Sequence, residues 1–158
     1  MKLSEHFTLG ELTRSRTADR LGIDNSPTKA DVERMRALCV AVLEPIRNVM
    51  GPVRVNSGFR SAVLNLAIGG AKDSQHMLGE AADIECADVS NLALARWIES
   101  SSIDFDQLIL EFYRFGDPSS GWVHVSHRAE ANRREVLTAT RVGGAVQYLP
   151  GLPTGGLM

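Results

Sequence analysis

Ser57-Gly58-Phe59-Arg60-Ser61, Ser74-Gln75-His76 and Gly79-Glu80-Ala81-Ala82-Asp83 fall within one short segment, and Trp122-Val123-His124-Val125-Ser126 follows later in the chain. The segment reads as strand, helix, loop, strand. Val53-Arg54-Val55-Asn56 alternates like a half-buried strand. Ser61 is placed to cap a helix over 62–68, and Gly69-Gly70 ends it and opens a loop to His76. Ala81-Ala82-Asp83-Ile84-Glu85-Cys86 is a second strand. In the later stretch, alternation puts Trp122, His124 and Ser126 on one face and Val123 and Val125 on the other.

Outward from this centre the pattern stays mixed. Val32, Met35, Cys39, Val42, Ile46 and Val49 recur at steps of three and four, an amphipathic helix begun at Ser26-Pro27 and stopped by Gly51-Pro52. Pro45 is expected to bend or end it. A helix over 89–100 and strands over 107–113 and 122–127 follow, the strands joined through Gly116-Asp117-Pro118-Ser119-Ser120-Gly121. Residues 1–25 read as a surface wrap with Phe7, Leu9 and Leu12 docked on the core, and 136–147 carries no clear period. These elements predict an α+β fold, with helices packed on a small, largely antiparallel sheet. They form one domain over residues 1–149, and 150–158 is expected to be a flexible tail.

Composition sets the bounds. A chain of 158 residues with 44% hydrophobic and 23% charged residues is long enough for one real core. A net charge of −2 supplies no basic field to attract nucleic acid, and the cluster Arg128, Arg133 and Arg134 reads as a solvated face. No apolar run approaches the length of a membrane span. Cys39 and Cys86 belong to no paired motif and read as small buried hydrophobes. Met1–Phe7 lacks the apolar run of a signal peptide, so synthesis without export by that route is expected.

His76, Asp83 and His124 have the ligand types of a catalytic zinc. Two imidazoles and one carboxylate fill three positions and leave a fourth for water, whose ionisation zinc brings near neutral pH. Each residue alone has a blander reading: a hydrogen-bonded histidine, a paired aspartate, a strand histidine facing solvent. A hairpin turn centred near 117–118 sets Glu111 roughly opposite His124, where it can serve as general base. A slip of one residue turns it to the other face. Arg60 is suited to a substrate carboxylate through paired hydrogen bonds, or to a structural ion pair. Ser74 and Gln75 flank the loop and either donate to a substrate carbonyl or shape the loop. His127 falls on the opposite strand face.

Together these motifs resemble the zinc D-Ala-D-Ala carboxypeptidase family of peptidoglycan peptidases, within the group named for lysostaphin, the D-Ala-D-Ala enzymes and Sonic hedgehog. Ser-Gly-Phe-Arg-Ser, Ser-Gln-His-x-x-Gly-x-Ala-x-Asp and Trp-Val-His-Val-Ser occur in the family's order between about Val53 and Ser126. Glu5-His6-Phe7-Thr8-Leu9-Gly10-Glu11-Leu12-Thr13 looks like the start of phage and prophage members. The resemblance implies one Zn2+ per chain held by His76, Asp83 and His124, with Arg60 binding substrate. It implies a peptidase acting on bonds next to D-amino acids in bacterial peptidoglycan, as carboxypeptidase or endopeptidase. The expected partners are peptidoglycan alone, with a monomer favoured. The expected location is the cell wall, reached from the host cytoplasm through a holin or as part of a virion. Several members carry an acid three positions before the last ligand, where this chain has Gly121. Glu111 is therefore the base expected here, and the alternative is a non-catalytic zinc module of a cell-wall-binding or virion protein.

Overall fold

Val53 and Val55 turn inward and Arg54 and Asn56 outward along β1 (Val53–Ser57), which stands at one edge of a six-stranded sheet. The structure is a computed structural model and describes residues 1–155. β2 (Ala81–Cys86), β3 (Gln107–Glu111), β4 (Trp122–Ser126), β5 (Glu135–Val142) and β6 (Ala145–Pro150) complete the sheet in the order β1-β2-β4-β3-β5-β6. Neighbours run antiparallel except β3 and β5, which are parallel. The fold is α+β, with helices on a largely antiparallel sheet.

The period of two divides the sheet's faces by chemistry. Ile84, Leu108, Leu110, Val123 and Val125 join the helices in one core. Asp83, Glu111 and His124 point to the other face. The core is closed by a helical rod: α3 (Lys29–Leu38), a π-helical segment Cys39–Leu43, and α4 (Glu44–Met50). Met35, Leu38, Cys39, Val42, Leu43 and Ile46 are fully buried along it. The wide turn accounts for how Pro45 is accommodated. A proline ring crowds the carbonyl four residues back and offers no N–H. Glu44 N–H instead reaches Cys39 O, five residues back, so the rod passes the proline without breaking.

The rod starts at Thr28, not at Ser26. Ser26 Oγ donates to Asp24 at 2.6 Å, while Thr28 and Asp31 cap each other reciprocally. α6 (Asn91–Ser100), capped by Ser90, packs Leu92, Leu94, Ala95 and Ile98 on the same core. Residues 1–25 do more than wrap the surface. They form α1 (Leu9–Thr13) and α2 (Arg16–Leu21) and bury Leu3, Phe7 and Leu12. Leu12 O then accepts from Phe59 N at 2.7 Å, which fixes the loop before α5 (Ala62–Ala67). Gly58 is required there, because a Cβ would stand 2.3 Å from Leu12 O.

Residues 136–147, without a clear period in the sequence, belong to the β5–β6 hairpin, turned at Gly143-Gly144 with φ of 58° and 82°. The crossover from β4 to β5 is tied by Asp106, fully buried, which accepts from Arg133 N, Nε and Nη2. Arg134 donates to the carbonyls of Glu99, Ser101 and Ile103. Two of the three clustered arginines are thus engaged in structure. Both cysteines are buried and unpaired, and burial pushes their thiols up, Cys39 to about 12 and Cys86 to about 11. No described helix is long and apolar enough to cross a membrane. In the stretch expected as a tail, Leu152 packs on the core and Arg96 Nη2 donates to Pro153 O and Gly155 O. Residues 156–158 lie outside the described residues.

Candidate metal centre

Strand register brings two of the three expected ligands together. β2 pairs with β4 so that Asp83 stands directly opposite His124. The third arrives from a single 3-10 turn, Gln75–Leu78, whose first N–H groups are capped by Ser74: its Oγ accepts from His76 N at 3.2 Å. Gly79 ends the turn at φ 76°, pressed so closely on α3 that a Cβ would meet Asp31 O at 2.7 Å. Arg60 N donates to His76 O at 3.0 Å and locks the loop to the start of α5.

Asp83 Oδ1 lies 3.3 Å from His76 Nε2 and 3.1 Å from His124 Nδ1. One ligand atom from each of the three residues falls within 4.8 Å of the others, and all three side chains are buried. Tetrahedral zinc with bonds of about 2.0–2.1 Å separates neighbouring ligand atoms by about 3.3 Å. Two edges of the triad already match that value, and the nitrogen–nitrogen–oxygen donor set suits zinc. His76 Nδ1 faces Gly58 O at 2.7 Å. Donation to that carbonyl fixes the ring with Nε2 turned toward Asp83, the orientation of ligating histidines, so that loss of the Nε2 proton would free a lone pair for a metal.

Asp83 is the hub of the site. Burial alone pushes its carboxyl up, but the charge of His76 and hydrogen bonds from His124 and His76 outweigh it and hold the group well below the usual carboxylate range. Its second oxygen accepts from Arg60 Nη2 at 3.3 Å. Arg60 Nε donates to Ser57 Oγ at 3.0 Å, so the guanidinium is oriented from two sides.

Glu111 differs from expectation in register but not in face. It pairs with Trp122, while Ile109 pairs with His124. The hairpin is shifted by two residues along one strand, an even slip that keeps every side chain on its face. From this diagonal position Glu111 Oε1 reaches to 4.0 Å from His124 Nδ1. Burial, then the charge of Asp83, raises its carboxyl to about 7 against the pull of His124 and Arg60. The Trp122 indole N–H is buried beside it without closing a hydrogen bond of good geometry, and also opposes the rise. A carboxyl tuned near neutrality can both accept and return a proton.

Gly121 explains why an acid is absent there. Its φ is 67°, and a Cβ would stand 2.1 Å from Glu111 O. An acidic side chain at 121 and this hairpin are mutually exclusive. Gly121→Ala is expected to destabilise the protein by about 1–3 kcal/mol, measured by chemical denaturation, and Gly121→Glu to gain no activity.

Of the remaining candidates, Ser74 shapes the loop as a cap. Gln75 Nε2 donates to Glu80 Oε1 at 3.2 Å, and Gln75 Oε1 is buried without a partner. His127 stands apart, its Nδ1 2.9 Å from Asp104 O. Two neighbours were not singled out from the sequence. Ser57 belongs to the Ser-Gly-Phe-Arg-Ser motif, which by itself assigns it no role. Tyr148 stands opposite Ala139, which stands opposite Glu111, so it occupies the site's face of the sheet. Burial and the charges of Glu111 and Asp83 raise its hydroxyl. The Gly143-Gly144 turn signal, followed through, would have placed that strand.

Comparison with known proteins agrees with this geometry. A 96-residue stretch is 36% identical to the zinc D-Ala-D-Ala carboxypeptidase of Streptomyces albus G, covering 58% of this chain and 35% of that protein. The chain therefore matches about a third of the relative's length. The family described as Peptidase M15 matches residues 5–126, a span that holds all three triad residues, Arg60 and Glu111, and on this match the chain belongs to the Peptidase M15 family.

Proposed function

We propose that this chain is a zinc peptidase that hydrolyses amide bonds next to D-amino acids in peptidoglycan stem peptides or cross-links, with one zinc per chain held by His76, Asp83 and His124. The observation that carries the reading is the acid beside the triad: Glu111 Oε1 lies 4.0 Å from His124 Nδ1 and is raised to about 7. Glu111 is not among the converging ligand atoms, and a carboxyl beside an open three-ligand site can exchange a proton with water, which a closed four-ligand structural site does not need. The name of the Streptomyces albus G relative supports the substrate class.

Zinc, when bound, polarises the scissile carbonyl and acidifies water at the open position. Glu111 Oε1 receives the water's proton and returns it to the leaving nitrogen, so one carboxyl serves both halves of the reaction. Arg60 has Nε on Ser57 and Nη2 on Asp83, which leaves Nη1 for the carboxylate of the leaving residue. That contact orients the substrate and rejects neutral ends.

The test compares a stem peptide ending in free D-alanine with its C-terminal amide. The wild type is expected to favour the acid by about tenfold or more, and Arg60→Ala, assayed at matched zinc occupancy, to erase the preference. Equal rates on both peptides in the wild type would remove Arg60 from substrate binding. Failure to cleave any stem peptide, with zinc bound, would favour a non-catalytic module.

A further inference from the structure

A second cavity, about 560 Å³, shares Arg60 with the metal site but is lined by none of the triad; it lies between β1, α5 and the α1–α2 connection. Its charges are all of one sign. Arg14, Arg16, Arg54 and Arg60 line it, and no aspartate or glutamate does. Arg54 is neutralised by Glu85 at 2.7 Å, and Arg60 is shared with Asp83. Arg14 and Arg16 are exposed and have no carboxylate within 4.0 Å among the described residues. Phe59 and Ile68 supply an apolar wall. The larger cavity, about 710 Å³, lies beyond the Arg54–Glu85 pair and carries Glu85 and Asp88, so it offers no comparable field.

An enzyme that only trims a terminal residue has no need of a groove past the arginine that holds the terminal carboxylate. We infer that this groove is a binding site for the leaving side of a cross-linked peptide, with one carboxylate at Arg60 and a second, further along the leaving strand, between Arg14 and Arg16. The inference rests on the peptidase reading of the metal centre and narrows it to an endopeptidase. Size agrees: at about 3.3 Å per extended residue, two or three residues cross such a cavity. The chemistry agrees as well, since a guanidinium pair matches a carboxylate through directed, charge-assisted hydrogen bonds and the flanking apolar wall takes an aliphatic stem. Groups of one sign in a concave wall also concentrate the opposite charge.

The test uses the zinc-loaded full chain and two synthetic cross-linked peptides. Both carry a carboxylate beside the scissile amine; in one the next carboxylate of the leaving strand is free, in the other it is amidated. The wild type is expected to cleave the free acid with about tenfold higher kcat/KM. Arg14→Ala/Arg16→Ala, which alters exposed side chains only, should erase that preference and leave the rate on the amide unchanged. The two leaving strands, as free peptides, are also titrated by calorimetry, which reads the groove without turnover. Binding of the acid that the double variant loses, in a protein that cleaves neither substrate, would refute the peptidase reading and keep the groove. No preference in the wild type by either method, or a preference that survives in the double variant, overturns the inference.

Discussion

Glu111→Gln is expected to lower turnover by about 10²–10⁴-fold while zinc content stays at the wild-type level. The amide keeps the length of the side chain and its place beside Trp122 but cannot take up a proton. Glu111 is not among the three residues whose ligand atoms converge, so metal binding should survive. Loss of zinc in this variant would make Glu111 a ligand instead. The same variant carries a second expectation, for the metal-free protein. Glu111 rises from 4.5 to about 7 on folding, so the native state binds this proton more tightly than the unfolded chain. The wild type then loses stability as pH rises from 4.5 to about 7 and stays level above it. Glutamine removes that loss. Metal-free Glu111→Gln should be more stable than the wild type at pH 8, by about 3 kcal/mol, and equal to it below pH 4. Denaturation at the two pH values measures both ends. A group that hinders the fold and aids the reaction is the expected mark of an active site.

Asp83→Asn is expected to abolish activity and weaken zinc binding by more than the about 10–100-fold seen when only a ligand's supporting partner is lost. One carboxylate here meets both imidazoles and the Arg60 guanidinium, at 3.1–3.3 Å. The amide preserves the shape and leaves three cationic or donor groups around a neutral oxygen. In the metal-free protein the substitution should also cost about 3–5 kcal/mol at neutral pH, the usual penalty for breaking a buried pair. The sign follows from the depressed carboxyl. Its contribution is present above the ordinary value of 3.8 and is lost as pH falls toward the lower folded value. The gap between variant and wild type should therefore narrow below pH 3.8. A gap that stays constant into strong acid would mean the carboxylate charge is not what the fold uses.

The site was legible where local pattern controls geometry. Alternation in Trp122–Ser126 and the small, apolar run around Asp83 place Asp83 and His124 on one face, and antiparallel pairing does the rest. His76 was legible by residue type and by its place between Gly70 and Gly79, though its position depends on contacts no local pattern shows, such as Gly58 O and Arg60 N. Glu111 was found on the right face with the wrong partner, because parity survives an even slip while register depends on the turn, here tightened by Phe112 and Gly121 at positive φ. The N-terminal helices were missed because each is only five or six residues long, too short for a period to show. The helical rod was legible to within a turn. Its π segment was not, since widening at Cys39–Leu43 answers a clash from Pro45 that hydrophobic spacing does not record.

If the triad and Glu111 form a working peptidase, peptidoglycan carries the record of its action. Mass spectrometry of the products from purified peptidoglycan, incubated with the zinc-loaded protein and with Glu111→Gln, reads that record. New amine termini in the stem peptides, or released D-alanine, are predicted with the wild type and not with the variant. Unchanged peptidoglycan from the wild type, with one zinc per chain verified in the sample, would contradict it.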